Sequence, residues 1–436
     1  MEKRFFLETL GCAKNQVDSE IMTAVLKKDG WTRTEDPSRS QVILINTCSF
    51  IQDAKQESID TTLSMANTYQ GVPVVMTGCM AQRYGQVLKD ELPEVKGFFG
   101  NRQPHRISQY LDSFLGGGER LFLPNEQEFV PGTKRNLESY PGSAYLKLAE
   151  GCSHGCTFCA IPLIRGRLRS RTKEDILEEF HRLLDQGVKE FNLIAQDLAA
   201  FGMDRGKTEF VELLKEMLKD QRYFWLRCLY LFPETFPDSL VDLAVMDERL
   251  VPYFDTPVQH GANRVLAAMG RRSTMADLLD LSKKIRSKLP LAAVRSTFLV
   301  GFPGEELSDF HELLDYQQQA AFEWLGTFSY SQEEGTIAGR QQVNVGTKEA
   351  HRRKSVVEAA QVPITARRLS RYVGEKVKVL VEEKVAEDDL WLGRTPWQAP
   401  EVDGLTVIKA SGLQPGSFVE CKIIALNGID FEAVPL

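Results

Sequence analysis

Residues 145–159 read Tyr145-Leu-Lys-Leu-Ala149-Glu-Gly-Cys152-Ser-His-Gly-Cys156-Thr-Phe-Cys159. The apolar run 145–149 predicts a strand, and it leads directly into three cysteines. Further strands are predicted at 190–195, 224–231, 253–257, 294–300 and 324–330, with helices between them, for example 172–186 and 209–219. Such strand–helix alternation predicts a parallel, TIM-like barrel over residues 144–371, complete or incomplete, with functional residues at the carboxyl ends of its strands. The cysteine loop falls at that end. A helical segment rich in Arg and Lys, 347–371, leaves the barrel.

Thiolates are ligands for soft metals, so Cys152, Cys156 and Cys159 form a ligand set. Iron–sulfur cubanes usually take four cysteines, and three leave one iron open. An open coordination position marks a catalytic metal. The competing reading is zinc on the same three cysteines plus His154. A zinc knuckle brings its ligands as two separated pairs, and no second pair follows.

Upstream, residues 1–118 alternate in the same way. The continuous apolar runs at 42–45 and 72–76 predict strands buried on both faces, and shorter strands are predicted at 5–7 and 95–99. Helices are predicted at 17–28, 51–67, 80–92 and 104–115, giving an α/β domain with a parallel sheet. Cys12, Cys48 and Cys79 each lie just past one of these strands. In a parallel sheet those loops open on one edge, where such folds bind ligands. Two readings stand: a second three-cysteine cluster with an open iron, or three buried structural cysteines. Cys228 and Cys421 sit inside predicted strands, as core residues do.

Residues 119–143, with Pro124, Pro131, Gly132, Pro141 and Gly142, read as a linker. Residues 372–436 switch to short alternating runs with glycines at turns, predicting a small antiparallel β-barrel. This last segment carries 6 basic and 11 acidic residues, among them Glu382, Glu383, Glu387, Asp388 and Asp389. A barrel that gripped nucleic acid should be basic. An acidic one repels RNA and attracts a basic partner, or only aids solubility.

Other polar candidates follow barrel strands. Gln196 and Asp197 follow the second, Gln259 and His260 the fourth, and Tyr330 and Ser331 the sixth. The turn Gly301-Phe-Pro-Gly304-Glu305 follows the fifth. It suits either a nucleotide approaching the backbone or a plain strand-to-helix turn with Glu305 at a helix start. The basic run Arg165-Gly-Arg167-Leu-Arg169-Ser-Arg171 reads as a contact for an anionic group, as loop ordering, or as a solvated face.

The chain has 436 residues, 43% hydrophobic and 26% charged, with a net charge of −7. That is an ordinary globular composition and suggests about three domains. The apolar start stops at Glu8, short of a signal-peptide core, and no apolar run approaches a bilayer span. The cytoplasm is the expected compartment, where eight cysteines point to metal or redox chemistry rather than disulfides.

Cys152-x-x-x-Cys156-x-x-Cys159, with Phe158 before the last cysteine, resembles the signature of radical S-adenosylmethionine enzymes. The order of an upstream three-cysteine domain, a barrel and a terminal TRAM-like β-barrel resembles the methylthiotransferase family along essentially the whole chain. Leu10-Gly-Cys-Ala-Lys-Asn15, Gly166-Arg-Leu-Arg-Ser-Arg171, Ile194-Ala-Gln-Asp197, Tyr330-Ser-Gln-Glu-Glu-Gly-Thr336 and Ala399-Pro-Glu-Val-Asp-Gly404 resemble its ribosomal protein aspartate branch. The tRNA branch typically shows Gln-Met-Asn after its first cysteine, where this chain has Ala13-Lys14-Asn15. Leu198-Ala-Ala-Phe201 and Pro396-Trp397 depart from the commonest forms.

The resemblance implies methylthiolation of the β-carbon of an aspartate in the twelfth small-subunit ribosomal protein, with S-adenosyl-L-methionine and two 4Fe-4S clusters. It implies metal ligands Cys152, Cys156 and Cys159 for the catalytic cluster and Cys12, Cys48 and Cys79 for a sulfur-presenting one. Gln196, Asp197, Gly301 and Gly304 are expected near S-adenosylmethionine. A basic ribosomal protein is the expected substrate, and flavodoxin or ferredoxin an expected electron donor. Alternatives are a tRNA methylthiotransferase and a non-catalytic iron–sulfur protein that binds ribosomes or RNA.

Overall fold

Val42–Thr47 is buried at every position, and five further strands build a sheet around it in a computed structural model that describes residues 3–385 and 389–436. The strands are β1 (Lys3–Thr9), β2 (Trp31–Arg33), β3 (Val42–Thr47), β4 (Val74–Thr77), β5 (Val95–Gly100) and β6 (Leu121–Phe122). They lie in the order β2-β1-β3-β4-β5-β6, and every pair is parallel. Helices α1 (Ala13–Lys28), α2 (Gln52–Thr68), α3 (Gly78–Glu91) and α4 (Ile107–Leu115) connect them. The short strands β2 and β6 are additions to the expected set, and β6 falls in the stretch read as a linker.

Helix α1 does not bury a simple apolar stripe. Alongside Val17, Met22 and Leu26 it buries Lys14, Asn15, Asp18, Ser19, Glu20 and Thr23. Buried charge persists only when paired. Glu20 accordingly meets Arg135 at 2.6 Å and accepts the Glu138 backbone N–H at 3.0 Å. The stretch after β6 is thus pinned to α1 rather than free.

The second sheet contains β7 (Ser143–Lys147) and, after the two-stranded pair β8 (Ala149–Glu150) and β9 (Arg169–Ser170), the strands β10 (Glu190–Ile194), β11 (Trp225–Cys228), β12 (Leu250–Asp255), β13 (Ala293–Val300) and β14 (Trp324–Ser329). Its order is β14-β13-β12-β11-β10-β7, all parallel and open at both ends. The barrel is therefore incomplete. Six expected strands are present, each within a few residues of its expected place.

The carboxy-terminal segment closes into a barrel, β15 (Lys376–Val385), β16 (Leu390–Arg394), β17 (Thr406–Lys409), β18 (Phe418–Asn427) and β19 (Asp430–Pro435). It is not wholly antiparallel as expected, because the β17–β19 pair is parallel. A register shift between Val381 and Glu383 interrupts the β15–β16 ladder. Such a bulge reverses which side chains face inward. Glu382 is consequently buried at 3% exposure and paired with Arg394. That removes it from the acidic surface read from sequence. Glu383 and Asp389 remain exposed, and Glu387 and Asp388 lie outside the described residues.

The turn between β16 and β17 fastens this barrel to the open sheet. Arg394 and Arg227 both pair with the fully buried Glu190. Arg227 also donates to the carbonyls of Thr395 and Pro396, and Trp324 Nε1 to that of Trp397 at 2.8 Å. Tyr253 donates its hydroxyl to Asp403 at 2.6 Å. Burial alone would raise the Glu190 carboxyl, but the two guanidinium groups outweigh it and hold it at about 2. The departing Pro396-Trp397 pair thus lies in a structural contact.

Contacts divide the chain into two compact units, Met1–Glu138 with Ala149–Ser153 and Cys159–Glu178, and Ser139–Leu148 with His154–Phe158 and Glu179–Leu436.

Candidate active site

Cys12 caps the start of α1 after β1, Cys48 follows β3, and Cys79 is the second residue of α3 after β4. The parallel sheet thus delivers all three thiols to its carboxyl edge, as their strand-end positions predict. Two glycines permit the approach. Gly11 has φ +95°, and a Cβ on it would stand 2.8 Å from Cys48 Cβ. Gly78 has φ +87°, and a Cβ there would stand 2.2 Å from Asn46 Oδ1. Asn15 ties the loops together by donating to the Leu10 carbonyl at 2.8 Å and the Thr47 carbonyl at 3.0 Å.

Burial, with the neighbouring Cys79 and Cys12 thiols, pushes the Cys48 thiol up to about 12. Burial also raises Cys79, against the opposing charge of Arg165. Three soft thiol donors gathered on one sheet edge fit an iron–sulfur cluster. Among the described residues, no three His, Cys, Asp or Glu side chains close on a single metal ion. A cluster, which spreads its thiolates around a cage, makes no such demand.

The second cysteine set rides on the loop after β8. Gly151 enters it at φ +70°, where a Cβ would strike the Arg167 carbonyl at 2.1 Å, and the Cys152 N–H donates to the Gly166 carbonyl at 3.1 Å. Thr157 is held by backbone bonds to Met269 at 3.0 Å and Ala338 at 2.9 Å. His154 makes no metal-facing gesture with its Nε2, which lies 2.7 Å from Asp197 Oδ2. Its ring stacks on Phe232 at 3.9 Å. The zinc reading, which needs His154 as a ligand, is weakened accordingly.

Asp197 spends its carboxylate inside the protein. Besides His154 it accepts the Thr235 hydroxyl at 3.0 Å and the N–H groups of Ala199 and Phe232 at 3.0 and 3.1 Å. It orients the cysteine loop through His154. Gln196 behaves differently. Both polar atoms of its amide are buried without a hydrogen-bond partner among the described residues. Buried amides are normally satisfied, so Gln196 keeps both polar atoms available for a partner.

The glycine turn is occupied by its own side chains. Gly301 and Phe302 donate their N–H groups to Glu305 at 2.6 and 3.2 Å, and Gly304 donates to Asn344 at 2.6 Å. Gly301 packs towards Ala350, 2.7 Å from its missing Cβ. The geometry therefore matches the strand-to-helix turn rather than a nucleotide cradle. His260 lies beneath it, fully buried, with Nδ1 accepting from Ala262 at 3.0 Å. Burial holds its ring down at about 3, neutral in the physiological range. Tyr330 sits against Phe302 with its hydroxyl buried and without a hydrogen-bond partner among the described residues.

Two site features had no sequence signal, and a third was only one of several readings of the basic run. Arg271 forms a two-pronged pair with Glu234 at 3.0 Å per contact, and its charge opposes the effect of burial on the Cys156 thiol. Tyr230, after β11, is held at φ +66°, an uncommon conformation for a bulky residue. Within the basic run, Arg165 alone is buried, whereas Arg167 and Arg169 are exposed and Arg171 pairs with Asp175 at 2.7 Å.

Known families divide the chain in the same order. Residues 4–100 match Uncharacterized protein family UPF0004, residues 146–316 the Radical SAM superfamily, and residues 373–436 the TRAM domain. The ribosomal protein uS12 methylthiotransferase RimO of Treponema denticola is 38% identical, covering 97% of this chain and 99% of its own. That of Syntrophobacter fumaroxidans is 41% identical, covering 99% and 98%. This chain belongs to the uS12 methylthiotransferase family. It is a radical S-adenosylmethionine transferase. Among solved structures, the radical S-adenosylmethionine methyltransferase TsrM of Kitasatospora setae shares the fold, with a TM-score of 0.57, 14% identity, and 78% and 77% of the two chains covered. Family membership makes the two three-cysteine sets the elements to explain. No helix among the described residues is long and apolar enough to cross a membrane.

Proposed function

We propose that this chain attaches a methylthio group to the β-carbon of an aspartate of uS12, with one 4Fe-4S cluster on Cys152, Cys156 and Cys159 and another on Cys12, Cys48 and Cys79. The observation that carries this reading is the pair of separate three-thiol sets in a chain whose relatives are uS12 methylthiotransferases. The target carbon bears an unactivated C–H bond that acid–base catalysis does not readily break, which is why cofactor radical chemistry is apt. When bound, the clusters and S-adenosylmethionine supply the electron, the hydrogen-abstracting radical and the sulfur.

The chain's own residues then position and shield. Asp197 fixes His154 and with it the loop of Cys156. Gln196 offers its unpartnered amide to S-adenosylmethionine. Arg271, clamped by Glu234, offsets negative charge at Cys156. The turn at Gly301 and Gly304 shapes the site wall without spending backbone donors on the ligand. The functional division is 1–118, 119–143, 144–371 and 372–436. The compartment is cytoplasmic, and the reductant is a small electron carrier such as flavodoxin or ferredoxin.

The exposed acids Glu383 and Asp389 favour a basic protein over RNA. The deciding assay offers reconstituted enzyme both uS12 and an adenosine-modified tRNA and follows the methylthio mass increase on each. Product on uS12 alone is expected, and product on tRNA alone overturns the substrate assignment. Reversing both Glu383 and Asp389 to Lys should raise the KM for uS12 several-fold, with a weaker salt dependence than the parent shows.

A further inference from the structure

Arg165 lies six residues beyond Cys159, yet its guanidinium is 2% exposed among side chains of the amino-terminal domain. Nη1 meets Glu150 Oε1 at 2.7 Å and Asp18 Oδ2 at 3.2 Å. Nη2 donates to Asn15 Oδ1 at 2.7 Å and to Cys79 Sγ at 3.5 Å. Asn101 Nδ2 donates to the same sulfur at 3.3 Å. Cys79 packs with Ala160 and Ile164, so the segment carrying Arg165 is seated on this thiol by apolar contact as well. A guanidinium cannot be deprotonated in a protein, and two carboxylates fix this one in place. It is a permanent, oriented positive charge on a cluster ligand.

We propose that Arg165 sets the reduction potential of the cluster held by Cys12, Cys48 and Cys79, through the N–H it donates to Cys79; this rests on the cluster assignment above. The couple is a one-electron exchange with an external reductant, in which no bond to Arg165 changes and no proton moves. The added negative charge spreads onto the thiolate sulfurs. Hydrogen bonds to those sulfurs stabilise the reduced form and raise the potential. Arg165 is thus a positioning and tuning residue rather than a catalytic one.

The test uses full-length protein in which Cys152, Cys156 and Cys159 are alanine, so that one cluster remains to be observed. After anaerobic reconstitution, iron is counted, and the paramagnetic signal of the reduced cluster is followed against dithionite-poised potential. R165Q should shift the midpoint to more negative potential. R165K keeps the buried charge opposite Asp18 and Glu150 but loses the fork, and should fall between R165Q and the parent. N101A removes the other donor to Cys79 and should give a smaller negative shift. R165K and N101A decide the matter if R165Q does not hold its cluster. An R165K midpoint equal to the parent's, at about four irons per chain, overturns the proposal. An iron-free triple-alanine parent instead overturns the cluster assignment on which it rests.

Discussion

Cys12, Cys48 and Cys79 are spread over 68 residues, whereas Cys152, Cys156 and Cys159 fit within eight. The two sets are therefore built by different means. The dispersed set exists only when β1, β3 and β4 lie side by side, and two of its members are buried at 8% and 6% exposure. The contiguous set is brought together by the chain itself and needs the fold only to orient it, through Gly151, Thr157 and the His154–Asp197 contact. A cluster assembled by a sheet should fail when the sheet edge is disturbed. A cluster assembled by a loop should survive such damage and respond instead to its few anchoring contacts.

The strongest way to break this contrast is Cys156→Ala. Formation of 5′-deoxyadenosine should fall to background, and about four of about eight irons should be lost. Iron analysis with product chromatography checks both, and retained cleavage would remove the loop from its role. Cys48→Ala should abolish methylthio transfer to uS12 while S-adenosylmethionine cleavage continues in part. Mass spectrometry of uS12 reads this, and full methylthiolation would contradict the sulfur-presenting role of the first set.

Asp197→Asn should cost about 10- to 100-fold in turnover, the usual range for a partner that orients a residue beside a metal ligand. The iron content should stay at the parent level, because the cysteines themselves are untouched. Equal turnover in variant and parent would show that His154 needs no orienting. Gly11→Ala should have the smallest effect on chemistry but a selective one. Strain at φ +95° and the overlap with Cys48 should cost about 1–3 kcal/mol. Iron should then be lost from the dispersed set alone, read as a fall towards four irons with cofactor cleavage retained. Loss from both sets would erase the distinction.

The same contrast explains what could be read before folding. The loop set is visible as spacing, and the open sheet as apolar runs between helices. The dispersed set is visible only by assuming that Val42–Thr47 and Val74–Thr77 are adjacent parallel strands, which continuous apolar runs do imply. The partnership of Arg165 with Asn15 spans 150 positions and has no local mark. The polar face of α1 defeats a periodicity argument because Asp18 and Glu20 are buried against arginines distant in sequence. Composition alone counts Glu382 with the surface acids, but the bulge beside it turns it inward, and a bulge is not written in residue types.

The Glu190–Arg394–Arg227 contact bears on modularity. A terminal domain joined to its neighbour by a tether can be deleted or exchanged and its role read from what is lost. Here Arg394, the last residue of β16, supplies one of the two guanidinium groups that neutralise a fully buried carboxylate of the catalytic sheet. Removing one partner from such a cluster typically costs about 3–5 kcal/mol, a large share of what keeps a protein folded. Deletion of the TRAM barrel would thus damage the catalytic sheet itself, and an inactive truncated chain would say nothing about substrate docking. A chimaera would have to carry Glu190, Arg227, Tyr253 and Trp324 together with the barrel that completes them.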